Sequence, residues 1–326
     1  GDGSPEKVID GIKIALEKNL NLEFLLFGDE NILNKFLKNK KLIMDHSKVF
    51  HCEDQVEDHE SPLSAAKKGH STSMWKAIES QKKLNADISL SAGNTGALLV
   101  SSKLILNTIE NVDKPALAAL WPNKTGTNIV LDLGANIECS EITLVNFCNM
   151  GSALHKALFP NENINVALLN IGTEAIKGND SLKKAHAILK EKNSGDYNFI
   201  GFIEGNKIMD GYANVIVTDG FTGNVALKTA EGTARFISHY FKSNLTKNFF
   251  TKLSSIFVLK TFKKFKEKFD PRKYNGAIFL GLNAPVVKSH GSTDSLGFSF
   301  SIEMCNKIIQ GKLIEKIKSN LKEIDS

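Results

Sequence analysis

Ile88 to Val100, ISLSAGNTGALLV, is the stretch on which the reading of the fold turns. Ile88 to Leu90 read as the end of a buried strand, and Ala97 onward as an apolar helix. Between them Ser91, Ala92, Gly93, Asn94, Thr95 and Gly96 are all small or hydrogen-bonding. Small residues let the backbone approach a ligand, and the unpaired N–H groups of a helix N-terminus suit an anion. The stretch is therefore a candidate phosphate cradle, placed where open α/β sheets hold their ligands. A single turn of this kind is read equally well as a plain strand-to-helix connection. The chain repeats it, however: DLGAN follows Leu131, NIGTEAIKGN follows Leu169, and TDGFTGN follows Val217. Turn chemistry explains any one of these. In a parallel sheet all four would share one edge and converge on one site.

Around these turns helix and strand signals alternate. Ser4-Pro5-Glu6 starts a helix to about Asn19, with Val8, Ile12 and Leu16 on one face. Strands are expected over 22–27, 48–52, 116–121, 128–133, 165–170, 199–203 and 214–218. Helices are expected over 31–38, 61–81, 141–158, 181–192 and 223–241. Apolar strands alternating with helices point to a mostly parallel sheet covered on both faces. At 326 residues, with 42% hydrophobic and 24% charged residues, the chain has the composition of an ordinary globular protein. The four cysteines, Cys52, Cys139, Cys148 and Cys305, form no C-x-x-C pair, which favours reduced thiols and a cytoplasmic setting. No apolar run approaches the roughly 20 residues of a membrane span.

The net charge of +5 is unevenly placed. Between Lys242 and Lys273 ten Lys/Arg face only Glu267 and Asp270, leaving the rest of the chain net acidic. That argues for one acidic partner surface and against nucleic-acid wrapping. Val258, Phe262, Phe265 and Phe269 fall at helical spacing, with lysines crowding the other faces. Such a helix reads as a membrane-surface element, a dock for an acidic protein, or a packed dimer element with a solvated basic face.

Six runs carry a resemblance: SAGNTGALL, PALAALWP (Pro115–Pro122), LDLGANIEC (Leu131–Cys139), NIGTEAIKGN, TDGFTGNVALKTAEG (Thr218–Gly232) and YNGAIFLGLNAPVVKSHGSTD (Tyr274–Asp294). Together, and in order over almost the whole chain, they resemble the bacterial phosphate acyltransferases of phospholipid synthesis, the PlsX family. The resemblance implies a three-layer α/β/α sandwich similar to isocitrate and isopropylmalate dehydrogenases and to phosphotransacetylases. It spans residues 1–326 as a single acyltransferase domain, with residues 242–273 as a helical extension. The family opens with a strand and D-A-M-G-G-D, and this chain starts inside that motif at Gly1-Asp2, so the first strand is expected upstream. The family's basic run is here Ala66-Lys67-Lys68-Gly69-His70 before Ser71-Thr72-Ser73-Met74.

The implied reaction is reversible transfer of a long fatty acyl group from acyl carrier protein to inorganic phosphate, giving acyl phosphate. Phosphate is itself a nucleophile, so positioning and electrostatics suffice without an acyl-enzyme. Lys177, between glycines in the NIGTEAIKGN loop, is the expected fixed charge for phosphate. Asn224 is an amide donor to phosphate or oxyanion, and His290 a proton donor to the leaving thiolate. Ser91, Gly93, Asn94, Thr95, Gly96, Asp132, Asn136, Asp219 and Lys228 complete the expected phosphate and substrate contacts. Their plainer readings are turn-stabilising amides, helix caps and solvated lysines. Phe257, Val258, Phe262, Lys263, Lys264 and Lys266 are expected to meet lipid or carrier protein. No His, Cys or carboxylate cluster has metal spacing, so neither metal nor cofactor is expected. The resemblance also implies a homodimer held peripherally at the inner face of the cell membrane. Alternatives are a phosphotransacetylase using acyl-coenzyme A, or a non-catalytic membrane or carrier-protein adaptor. A dinucleotide enzyme is disfavoured because no G-x-G-x-x-G follows an early strand.

Overall fold

The computed structural model describes residues 1–191, 196–245 and 270–322. Its first third comprises α1 (Glu6–Lys18), β1 (Phe24–Gly28), α2 (Glu30–Leu37), α3 (Lys41–Asp45), β2 (Ser47–His51), α4 (Pro62–Lys68), α5 (Ser73–Lys83), β3 (Ser89–Ser91) and α6 (Thr95–Leu106). Then come β4 (Ala116–Pro122), β5 (Thr127–Leu131), α7 (Glu141–Leu158), β6 (Asn165–Asn170), α8 (Asp180–Glu191), β7 (Asn198–Glu204), β8 (Val215–Val217) and α9 (Gly220–Leu245). The chain closes with β9 (Ala277–Leu280), β10 (Val286–Lys288), α10 (Ser295–Gln310) and α11 (Leu313–Lys322).

Alternation along the central strands accounts for the layers. Ile129 and Leu131 of β5, Val166 and Leu168 of β6, and Val215 and Val217 of β8 all enter one apolar cluster. Their neighbours Val130, Ala167 and Ile216 enter another. Successive strand side chains point to opposite faces, so both faces need helical cover. Helices α7, α8, α10 and α11 cover the first face. On the second, α5 and α6 pack over β9 and β10 while α9 packs over the β5–β8–β6 region. This is the expected three-layer α/β/α sandwich. A parallel pair, β1 and β2, forms a separate small sheet packed with α1 and with Phe298 and Ile302 of α10.

The eight-stranded sheet runs β3-β10-β9-β4-β5-β8-β6-β7. Parallel pairings predominate, as expected, but β9 is antiparallel to both β10 and β4, and β4 is antiparallel to β5. Strands β3, β10 and β4 therefore point one way, and β5, β8, β6, β7 and β9 the other. This overturns the single-rim expectation. The SAGNTG turn leaves the sheet at the edge opposite DLGAN, TDGFTGN and NIGTEAIKGN.

The helix expected over 61–81 is also two helices. Gly69, at φ +48°, ends α4 in a short 3-10 turn. Thr72 then restarts the chain as α5, its Oγ1 accepting the Trp75 N–H at 3.3 Å. Periodicity alone misses such a break, because apolar spacing continues across it.

Candidate functional site

The first rim is organised by Asp132. Its carboxylate is fully buried and accepts N–H bonds from Leu117 (3.0 Å), Gly134 (3.2 Å), Ala135 (3.0 Å) and Asn136 (2.8 Å), plus the Asn136 amide at 2.8 Å. Burial pushes its pKa up, while these donors pull it back toward the ionised form. The Asn136 amide gives its second proton to Pro115 O at 2.8 Å. Neither residue fits the substrate contact expected of it: the Asp132 carboxylate is committed to backbone donors of its own loop and of β4, and Asn136 has no amide proton left to donate. They build the rim instead.

The start of α9 docks directly on this loop. Gly220 N donates to Asn136 O at 2.7 Å, and a Cβ at Gly223 would lie 1.9 Å from Asp132 O, so only glycine fits there. Asp219 caps the helix, accepting from Thr222 N and Thr222 Oγ1, each at 2.8 Å. Asn224 lies over Gly134, whose φ of +126° a side chain would strain. Asn224 itself is exposed, and no protein partner is recorded for its amide among the described residues. On the neighbouring strand β6, Asn170 closes the NIGTEAIKGN loop by donating to Lys177 O at 3.1 Å and accepting from Ile171 N at 2.8 Å. Lys177 is exposed and forms no ion pair among the described residues.

The second rim joins β3 to β10. Ser289 N donates to Ser91 O at 2.9 Å, and Ser91 Oγ accepts from Gly93 N at 3.2 Å. Asn94 caps α6 through Ala97 N at 3.0 Å and donates both amide protons to the carbonyls of Asp58 and Glu60, each at 2.9 Å. It therefore has no donor left for phosphate, contrary to expectation. Gly93 and Gly96 are small because Met74 and Pro62 press on them: added Cβ atoms would meet those side chains at 2.9 and 2.7 Å. Thr95 remains exposed at the helix start.

His290 follows β10. Its N–H donates to Asn275 Oδ1 at 2.9 Å, and its Nδ1 lies 3.3 Å from the donating Ser292 N–H and 3.0 Å from Ser292 Oγ. That arrangement leaves Nε2 as the proton-bearing nitrogen of a neutral ring. Burial lowers its pKa first, and Lys288, Lys228 and Lys7 lower it further against the opposing Glu231. Lys228 is exposed and pairs with Glu231 at 3.0 Å.

Helix α9 thus connects the two rims. Asn224 sits on the first, while Lys228 and Glu231, about 6 and 10 Å further along the axis, are near enough to His290 to shift its titration. Lys7 and Lys288, absent from the sequence reading, belong to the same neighbourhood. The available signals were a lysine closing the apolar strand Val286-Val287 and one four residues before Gly11 on the buried face of α1. The expected lipid or carrier contacts Phe257, Val258, Phe262, Lys263, Lys264 and Lys266 lie outside the described residues.

Residues 1–316 match the family model described as "Fatty acid synthesis protein". The phosphate acyltransferase of Pelagibacter ubique (strain HTCC1062) is 53% identical over 321 residues, covering 98% of this chain and 96% of that protein. The chain belongs to the phosphate acyltransferase family. A second member, from Rhodopseudomonas palustris (strain BisB18), is 43% identical over 322 residues, 98% of this chain and 91% of that one. Two solved structures share the fold. A phosphotransacetylase from Streptococcus pyogenes has a TM-score of 0.63 at 15% identity over 96% of this chain and 92% of that one. A branched-chain phosphotransacylase from Enterococcus faecalis V583 has a TM-score of 0.60 at 16% identity, covering 95% and 96%.

Family membership makes the chain an acyltransferase, and its thiols are unsuited to act as nucleophiles. Cys139, beside the first rim, is pushed up to about 12 by burial and by Asp132 and Asp219. Burial likewise raises Cys52, Cys148 and Cys305, so none offers the thiolate that nucleophilic attack needs.

Proposed function

We propose that this chain transfers a long fatty acyl group from the thioester of an acyl carrier protein to inorganic phosphate. The observation that carries the reading is the position of α9: its Asn224, exposed and with no side-chain hydrogen bond among the described residues, lies against Gly134 of the first rim, while its Lys228 and Glu231 act on the neutral, Nε2–H-bearing His290 of the second. Lys177, exposed and without an ion pair among the described residues, is on the loop after β6, at the same end of the sheet as the start of α9. Phosphate oxygen attacks the thioester carbonyl, the C–S bond breaks, and acyl phosphate and carrier thiol leave. The proton of the attacking hydrogen phosphate passes to the leaving sulfur, and neutral His290 donates its Nε2–H as a hydrogen bond to that sulfur as the C–S bond breaks. Asn224 donates to the carbonyl oxygen as negative charge develops there, and Lys177 holds phosphate oxygens. The reverse reaction uses the same groups.

Free-thiol release from a palmitoyl carrier protein tests this directly. Release should require phosphate, match acyl phosphate formation, and exceed the rate with acetyl-coenzyme A. Phosphate-independent release, a stable acylated enzyme, or preference for acetyl-coenzyme A would overturn it.

Two further parts of the reading concern assembly. From Thr233 to Tyr240 every residue of α9 is exposed, including Phe236, Ile237 and Tyr240. That apolar stripe supports a homodimer built on the far half of α9. Among the described residues no helix is long and apolar enough to cross a membrane. The basic segment of residues 242–273 is assigned to peripheral contact with a lipid surface, where acyl phosphate would be consumed.

A further inference from the structure

Lys7 is 7% exposed, an unusual position for a lysine. It lies in the first turn of α1, where the positive end of the helix dipole opposes a cation. Its Nζ donates to Gly291 O, in the turn after β10. Lys288, the last residue of β10, donates its own Nζ to Ser289 O in the same turn. Among the described residues neither lysine has a carboxylate within ion-pair distance. Asp58 acts on both from further away, and Asp2 acts on Lys7. Each ammonium group has three donors, so each keeps two after its carbonyl bond. Asp58 is in turn tied to the α6 N-terminus through its carbonyl bond from Asn94. Two helix starts, two lysines and His290 therefore gather around one turn, where Asp58 and Asp2 act on the lysines only from a distance and neither pairs with them directly.

We propose that Lys7 and Lys288 bind a phosphate group against the Ser289–Gly291 turn. A phosphate oxyanion gives both lysines a direct counter-charge and accepts the unused N–H bonds, which neither a carbonyl nor water does for two cations at once. Burial lowers both lysines, Lys288 to about 8, so an anion between them also restores their ordinary protonation. The inference rests on the acyl-transfer reading only for the source of that group: free orthophosphate, or the phosphodiester of the carrier's pantetheine arm.

Thermal unfolding of the full chain in sodium phosphate, against sodium chloride of equal ionic strength at pH 7.5, tests the site without turnover. The wild type should gain about 3 °C or more in phosphate. Lys288→Met and Lys7→Met should gain none, and Lys288→Arg should keep part of the shift. Kinetics then name the source. A tenfold rise in KM for phosphate in Lys288→Met, with KM for the acyl carrier unchanged, assigns the site to orthophosphate; the converse assigns it to the arm. An equal phosphate shift in wild type and both Met variants, or no shift in the wild type, overturns the proposal. A phosphate shift in an enzyme that does not turn over acyl carrier protein would instead sink the proposed reaction and leave this site standing.

Discussion

Asp132 keeps a carboxylate in a site with no exposure by surrounding it with donors from Leu117, Gly134, Ala135 and Asn136. Asp132→Asn replaces one acceptor oxygen by an NH2 group that confronts those donors. The expected cost is about 3 kcal/mol, read as a lower urea midpoint at unchanged slope. Single letters could not reveal this role: an aspartate at a strand end is the same symbol whether it faces a ligand or its own loop. The same holds for Asn94 and Asn136, since amides become available or committed only when distant carbonyls such as those of Asp58, Glu60 and Pro115 are in place. His290 makes a sharper prediction. Partial burial, then Lys288, Lys228 and Lys7, lower its pKa from the ordinary value, with Glu231 opposing. The neutral ring is therefore the working form at pH 7, and kcat/KM per phosphate dianion should stay flat down to about 6.5 and fall below it. His290→Gln should lose about a hundredfold in rate and lose that acid limb. An acid limb unchanged in the variant would remove His290 from the proton path.

At the scale of elements, the helices and strands with long, regular apolar patterns were legible. Helix α7 and strand β6 have the bounds their periodicity gave, Glu141–Leu158 and Asn165–Asn170. Short elements were not: α3, β9 and β10 have five, four and three residues, too few for a period to declare itself. The docking of α9 on the Asp132 loop depends on one missing Cβ. Gly223→Ala places a methyl group against Asp132 O, so the helix start must move off the rim. We expect a folded protein destabilised by about 2–3 kcal/mol, with acyl transfer reduced by more than that loss of stability explains. Near-wild-type melting and turnover together would show that the contact is not needed.

At the scale of the whole molecule, the α/β/α sandwich follows from strands apolar on both faces, and this the sequence makes plain. The reversals at β4–β5 and β9–β10 have a local sign in the short connections of residues 123–126 and 281–285, too short for a parallel crossover, whereas the antiparallel pairing of β9 with β4, far apart in the chain, has none. The proposed membrane contact is also a property of the whole particle. Phe257→Asp should abolish co-sedimentation with anionic liposomes while leaving turnover of soluble acyl carrier protein within twofold; sedimentation equal to wild type would refute the lipid contact. The opposed strand directions have one further consequence. Because the two loop sets leave the sheet at opposite ends, the span between them is measured out by a single rod, and a rod of α-helix comes only in steps of about 1.5 Å and 100°. A one-alanine insertion between Asn224 and Lys228 would swing every later group a third of the way round the barrel of α9, whereas an insertion of the same size in a surface loop would be absorbed. The separation of Asn224 from Lys228 and Glu231 is thus set by counting residues along one helix.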